Sequence, residues 1–152
     1  MNLRIRDHFV YWLHRGLATA GGMRVPSLAE IRREGFQRIL VVATTAIGDA
    51  VLCTPLIDSL RAALPEAKIG FWVSAAAAPL FEGLSGLDRV LPYHGKYRLV
   101  RKTIQSLRAE HYDLALVANA NDPDVIPMIW WSGFKRIIRR PQRNTIYSFM
   151  IA

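Results

Sequence analysis

Two hydroxyls, a glycine and a carboxylate stand close together in Thr44-Thr45-Ala46-Ile47-Gly48-Asp49. A carboxylate placed beside a substrate hydroxyl can take its proton. A glycine next to it lets the backbone approach a ligand closely. The flanking residues say where this group sits. Ile39-Leu40-Val41-Val42 is a continuous apolar run rich in β-branched residues, the pattern of a strand buried on both faces of a parallel sheet. Val51, Leu52, Leu56 and Leu60 follow at helical spacing. The reading is strand, tight loop, helix. It puts Thr44, Thr45, Gly48 and Asp49 at the carboxyl end of a strand and the amino end of a helix, where open α/β sheets bind ligands. The same residues also have plain structural uses. An aspartate in a first helical turn favours the helix dipole, and threonines cap helices.

A second polar group, Asn119-Ala120-Asn121-Asp122-Pro123-Asp124, follows another apolar run and belongs to the same end of the sheet. The first loop lacks both the Gly-x-Gly-x-x-Gly dinucleotide fingerprint and the Gly-x-x-x-x-Gly-Lys-Ser/Thr phosphate loop. Neither nicotinamide nor ATP binding in those modes is supported, and no cofactor is expected. No spacing of His, Asp or Glu suggests a metal site. His94 and His111 read as surface residues. Cys53, the only cysteine, reads as a buried structural thiol within the helix.

The elements that must position these groups alternate along the chain. Strands are expected at 38–42, 68–73, 89–93, 113–118 and 136–138. Helices are expected at 49–64, bent by Pro55, and at 75–84, 97–109 and 125–132. Leu99, Val100, Thr103, Ile104 and Leu107 should face inward on the third of these. The alternation indicates an α/β fold with a Rossmann-like parallel sheet. Before it, residues 3–18 read as an amphipathic helix bearing Trp12 and several arginines, which packs on its own domain or lies in a membrane interface. A short helix over 27–33 follows. The division is therefore 1–35, helix and connector, and 36–152, the Rossmann-like domain. The apolar end, 144–152, has no obvious partner element, and a chain that continues further is expected.

The 152 residues suit one domain, and the net charge of +8 favours an anionic partner. Nucleic acid, an anionic membrane and a phosphorylated substrate all qualify. No aromatic-studded RNA-binding strand and no helix-turn-helix is present, so nucleic acid is not expected. The basic run Lys135, Arg136, Arg139, Arg140, Arg143 reads as a solvated face, or as a phosphate contact if it borders the cleft. There is no secretory signal and no apolar run of ~18–20 residues, so a cytoplasmic location is expected.

Longer segments carry a resemblance. Gly48-Asp49 after the first strand, Thr54-Pro55 in the next helix, and Leu60-Arg61-Ala62-Ala63-Leu64-Pro65-Glu66-Ala67-Lys68-Ile69 into the second strand resemble the start of family 9 glycosyltransferases, the lipopolysaccharide heptosyltransferase family. Pro79-Leu80-Phe81-Glu82-Gly83 with Asp88-Arg89-Val90, and Leu107-Arg108 with Tyr112-Asp113-Leu114, extend the likeness over residues 36–140. The resemblance implies the amino-terminal, acceptor-side half of a GT-B fold. It implies inverting transfer of a sugar, heptose from ADP-heptose, to a lipopolysaccharide-core or related glycolipid acceptor. Asp49 matches the family's general base. Thr44, Thr45, Gly48, Asn119, Asn121 and Asp122 would bind substrate. The nucleotide-sugar donor would sit mainly in a carboxyl-terminal domain that this chain lacks, leaving the fragment alone inactive, and the enzyme would be peripheral on the inner membrane. Two positions depart from the family. Ala43 stands where a basic residue is common, and Asn119 to Asp124 replace a segment that often holds His or Gln. The rival reading is a non-catalytic basic α/β module that binds anionic lipid or nucleic acid.

Overall fold

The computed structural model describes residues 34–139, with 11–13 and 15–16. The chain runs β1 (Arg38–Ala43), α1 (Ile47–Val51), α2 (Thr54–Ala63), β2 (Lys68–Ser74), a 3₁₀ turn (Ala78–Leu80), β3 (Arg89–Tyr93), α3 (Val100–Ala109), β4 (Leu114–Asn119), α4 (Val125–Trp131) and β5 (Arg136–Arg139). All five strands pair in parallel, in the order β3-β2-β1-β4-β5. The chain therefore steps from β1 out to β3, then crosses to the other side of β1 for β4 and β5. Between β1 and β4 the winding reverses, and a crevice at the carboxyl ends of the strands follows from that reversal.

Both faces of the sheet are covered, which is why its three inner strands, β2, β1 and β4, read as nearly unbroken apolar runs. Leu40, Val42, Trp72, Ala115 and Val117 pack against Leu107 of α3 and against Val125, Ile126, Met128 and Ile129 of α4. Val41, Ala43, Ile69, Phe71 and Val73 pack against Ala50, Cys53, Ile57, Ala77, Ala78 and Phe81 on the opposite face. The Tyr112 side chain lies over the Cα of Gly70 and stacks on Phe134, ring centroids 5.9 Å apart. A β-carbon at position 70 would collide with its hydroxyl and ring.

The five strands lie where the sequence places them, to within a residue at each end. The helices differ. The expected single helix over 49–64 is two, α1 and α2, parted at Leu52 and Cys53. Pro55 does not bend a helix; it sits in the first turn of α2, where backbone donors have no intrahelical acceptor anyway. The break resets the helical phase. Ala50, Cys53 and Ile57 face the sheet, while Val51 and Leu52 turn outward, Leu52 at 80% exposure. The helix expected over 75–84 is only the 3₁₀ turn, since Pro79 and the left-handed Gly83 interrupt it. α3 begins at Val100 rather than 97, because Tyr97 and Leu99 are left-handed (φ 56° and 49°), and Leu99 faces outward, not inward. Of the helix expected over 3–18, Tyr11 to Leu13, Arg15 and Gly16 are helical. Its remaining residues, the 27–33 helix and the 144–152 end lie outside the described residues. No helix among the described residues is long and apolar enough to cross a membrane.

Candidate functional site

The loops after β1 and β4 are joined at the crevice. The Thr44 N–H donates to the Asn119 carbonyl at 2.9 Å. The Thr45 hydroxyl donates to the Asp49 carboxylate at 2.5 Å. Asp49 is the third residue of α1, and the same carboxylate oxygen lies 3.4 Å from the Ala46 N–H, a long contact that closes half a capping box. The carboxylate is half-buried and so remains open to solvent on one side. Gly48 is exposed, and nothing lies within 4 Å of where its side chain would be. Its backbone is not left-handed, so the fold itself does not require glycine there. What the glycine does is leave the face beside Asp49 bare.

A cleft of about 700 Å³ opens from Thr44 toward β3, lined among others by Ser74, Tyr93, His94, Arg98 and Asp122. Thr44 is only 6% exposed, and its hydroxyl has no hydrogen-bond partner among the described residues. Asp122 is turned toward β3, where its carboxylate lies 2.8 Å from the Tyr93 hydroxyl. Asp124 approaches the same hydroxyl at 2.9 Å and accepts the Tyr97 N–H at 2.6 Å. Burial pushes the Asp124 carboxyl up, helped by neighbouring Asp122, although the Tyr97 and Tyr93 contacts pull the other way. Burial and the two aspartates also push the Tyr93 hydroxyl well above its ordinary range.

The residues singled out in sequence thus fall into two groups. Thr45, Gly48 and Asp49 form one, on α1 and the loop before it. Thr44 and Asp122 form the other, in the cleft. Asn119 joins the loops through its backbone carbonyl, and Asn121 is exposed. Tyr93 and Asp124 were not singled out, since only the parallel register brings a residue of β3 against the loop after β4. The signal that could have found them is a tyrosine ending one strand and two aspartates following another. Cys53 is buried at the α1–α2 junction, where its thiol donates to the Asp49 carbonyl (3.2 Å); burial, then Asp49, raises its pKa. His94 and His111 are both exposed. In the basic run, Arg136 pairs with Glu34 at 2.5 Å and Arg139 donates to the Ala120 carbonyl, while Arg140 and Arg143 lie outside the described residues. No cluster among the described residues could hold a metal ion.

Solved structures share this fold. A family 9 glycosyl transferase from Veillonella parvula matches 67% of this chain with 31% of its own, at TM-score 0.58 and 18% identity. The E. coli ADP-heptose lipopolysaccharide heptosyltransferase II matches 67% with 30% of its own, at TM-score 0.57 and 25% identity. The chain resembles the family 9 glycosyltransferases in fold. The E. coli heptosyltransferase WaaC, solved with ADP, matches at TM-score 0.46 and 20% identity, over 70% of this chain and 42% of its own. The chain spans less than a third of the length of the first two family 9 structures. No family model matches it, and no curated protein matches it by sequence.

Proposed function

We propose that this chain is the acceptor-side part of an inverting family 9 glycosyltransferase, with Asp49 as general base. The observation that carries the reading is the placement of Asp49. It is a half-exposed carboxylate, held by the Thr45 hydroxyl, beside a bare Gly48. It follows the central strand of a sheet whose winding reverses at that strand. The fold is shared with a protein named as an ADP-heptose heptosyltransferase at 25% identity.

The chemistry suits the group. The acceptor hydroxyl gives its proton to Asp49 as its oxygen bonds to the anomeric carbon of the donor. The bond from that carbon to the nucleotide diphosphate breaks, and the diphosphate leaves with the electron pair. The donor of this reading is a nucleotide sugar, ADP-heptose, held mainly by protein beyond this chain. The acceptor is a lipopolysaccharide-core or related glycolipid, and the enzyme works at the inner face of the membrane that carries it.

Asp49→Asn in the full-length protein tests the reading. Asn keeps the size and is itself a good helix cap, so folding and acceptor binding should persist. Loss of a general base costs ~10²–10⁴-fold in rate. Turnover at saturating substrates is expected to fall at least about a hundredfold. A variant retaining more than about a tenth of wild-type turnover would remove Asp49 from the role.

A further inference from the structure

The Tyr93 hydroxyl has one hydrogen for two carboxylate neighbours. A tyrosine hydroxyl carries one hydrogen, and an ionised carboxylate carries none. Yet carboxylate oxygens of both Asp122 and Asp124 lie within hydrogen-bond distance of the Tyr93 oxygen, at 2.8 and 2.9 Å. The Tyr93 hydrogen can satisfy one of them. With both aspartates ionised, the other contact would set lone pairs against each other between the buried residues Tyr93 and Asp124 or the half-buried Asp122. Among the described residues no lysine, arginine or histidine forms an ion pair with either aspartate.

We propose that Asp122 and Asp124 share one proton through the Tyr93 hydroxyl, and that this proton clamps the β3–α3 loop to the loop after β4. The chain of donors runs outward. The Asp124 carboxyl donates to the Tyr93 oxygen, and Tyr93 donates to Asp122, which lines the cleft. The second Asp124 oxygen accepts the Tyr97 N–H. That bond holds a turn with two left-handed residues, Tyr97 and Leu99, a strained conformation that persists only when its surroundings hold it. His94 and Arg98, on the same turn, line the cleft together with Asp122. The three residues are therefore positioning residues for the cleft rim. They leave one negative charge in the cleft rather than two.

The surrounding groups pull both ways. The Tyr97 N–H and the amino end of α4 favour the ionised form of Asp124. Arg101 and Arg108 border the groove behind it, but Arg108 is engaged with the Trp131 carbonyl. His94 and Arg98 line the same cleft as Asp122. Burial and the second aspartate oppose ionisation, as in any pair of carboxylates sharing a site. Burial holds the Asp124 carboxyl above its free value, so its share of stability is complete below ~3.9 and is lost as pH rises through the folded value.

Infrared spectroscopy of the chain at neutral pH reads the proton directly. Wild type should show a carboxylic acid C=O stretch that is absent in both Asp124→Asn and Asp122→Asn. Thermal unfolding adds a second reading. Wild type should lose stability toward alkaline pH, and Asp124→Asn should lose less, because the Asn amide always donates to Tyr93 while its carbonyl still accepts Tyr97 N–H. A wild-type spectrum without a protonated carboxyl overturns the proposal, whatever the variants do. So does a band that survives in both variants. Because the wild-type spectrum decides alone, a variant that fails to fold does not rescue the idea.

Discussion

The Arg61 guanidinium of α2 meets the Asp88 carboxylate, just before β3, at 2.7 Å. The same carboxylate oxygen accepts the Ile69 N–H at 2.7 Å, so one side chain ties α2, β2 and β3 together. Arg61 also donates to the carbonyls of Pro65, Ala67 and Gly86. Across the sheet, Asp113 accepts the N–H groups of Gln37 and Arg38, both at 3.2 Å, and so fixes the start of β1 against β4. Arg61, Asp88 and Asp113 all lie in the segments that resemble family 9 glycosyltransferases. All three work at the amino ends of strands, the opposite end of the sheet from Asp49. Much of the family likeness is therefore strand registration rather than catalysis.

Removing Arg61 should be felt in stability. Arg61→Ala takes away hydrogen bonds from a charged donor to three carbonyls and one carboxylate, and about 2–3 kcal/mol is expected, measured by denaturant unfolding. Partial burial pushes the Asp88 carboxyl up, but the Ile69 N–H and Arg61 outweigh it and hold the group below its ordinary value. A carboxyl lowered on folding stabilises above the unfolded value of ~3.9, and that share disappears as pH falls through the folded value. Asp88→Asn should therefore flatten part of the acid limb of the stability curve. An acid limb identical to wild type would show that the pairing contributes nothing.

Gly70→Ala should destabilise by about 3 kcal/mol. The added carbon meets the hydroxyl and ring of Tyr112, which is buried and stacked on Phe134. A rigid ring against a strand has no small adjustment available. A shift within ~0.5 kcal/mol in the unfolding midpoint would mean that Tyr112 has another seat.

Thr45→Val separates positioning from proton transfer at Asp49. The variant keeps the shape but removes the 2.5 Å hydrogen bond. With the carboxylate still present, turnover of the full-length protein should fall about tenfold, well short of the loss in Asp49→Asn. Losses of equal size in the two variants would refute the division of roles.

The amino-terminal segment either packs on the domain, where Tyr11 meets the core beneath α3 and α4, or contacts anionic membrane. Trp12, Leu13 and Arg15 are exposed, with the Arg15 guanidinium 5.8 Å from the Trp12 ring. Deleting residues 3–18 should reduce co-sedimentation with anionic vesicles, and added salt should weaken what remains. Sedimentation unchanged by the deletion would rule this segment out as the anchor.

The α/β class was legible in the sequence because central strands buried on both faces need runs such as Ile39 to Val42, and the alternation of such runs with helical spacing placed the rest. The strand–loop–helix around Gly48 and Asp49 was legible for the same reason. Helix phase was not. Val51 and Leu52 look inward-facing by spacing, yet the break at Leu52 and Cys53 turns them outward, since Cys53 and Ile57 fill the space against the sheet. Nor could spacing divide the candidate residues. Thr44 and Thr45 are neighbours, but at the end of β1 one side chain is buried against the cleft while the other meets Asp49. Tyr93 sits 29 residues from Asp122 and 31 from Asp124. Only the order β3-β2-β1-β4-β5, with all carboxyl ends on one side, brings them to a single hydroxyl. Local pattern carries the elements because each must bury its own apolar face, whereas contacts between loops depend on how the sheet is wound.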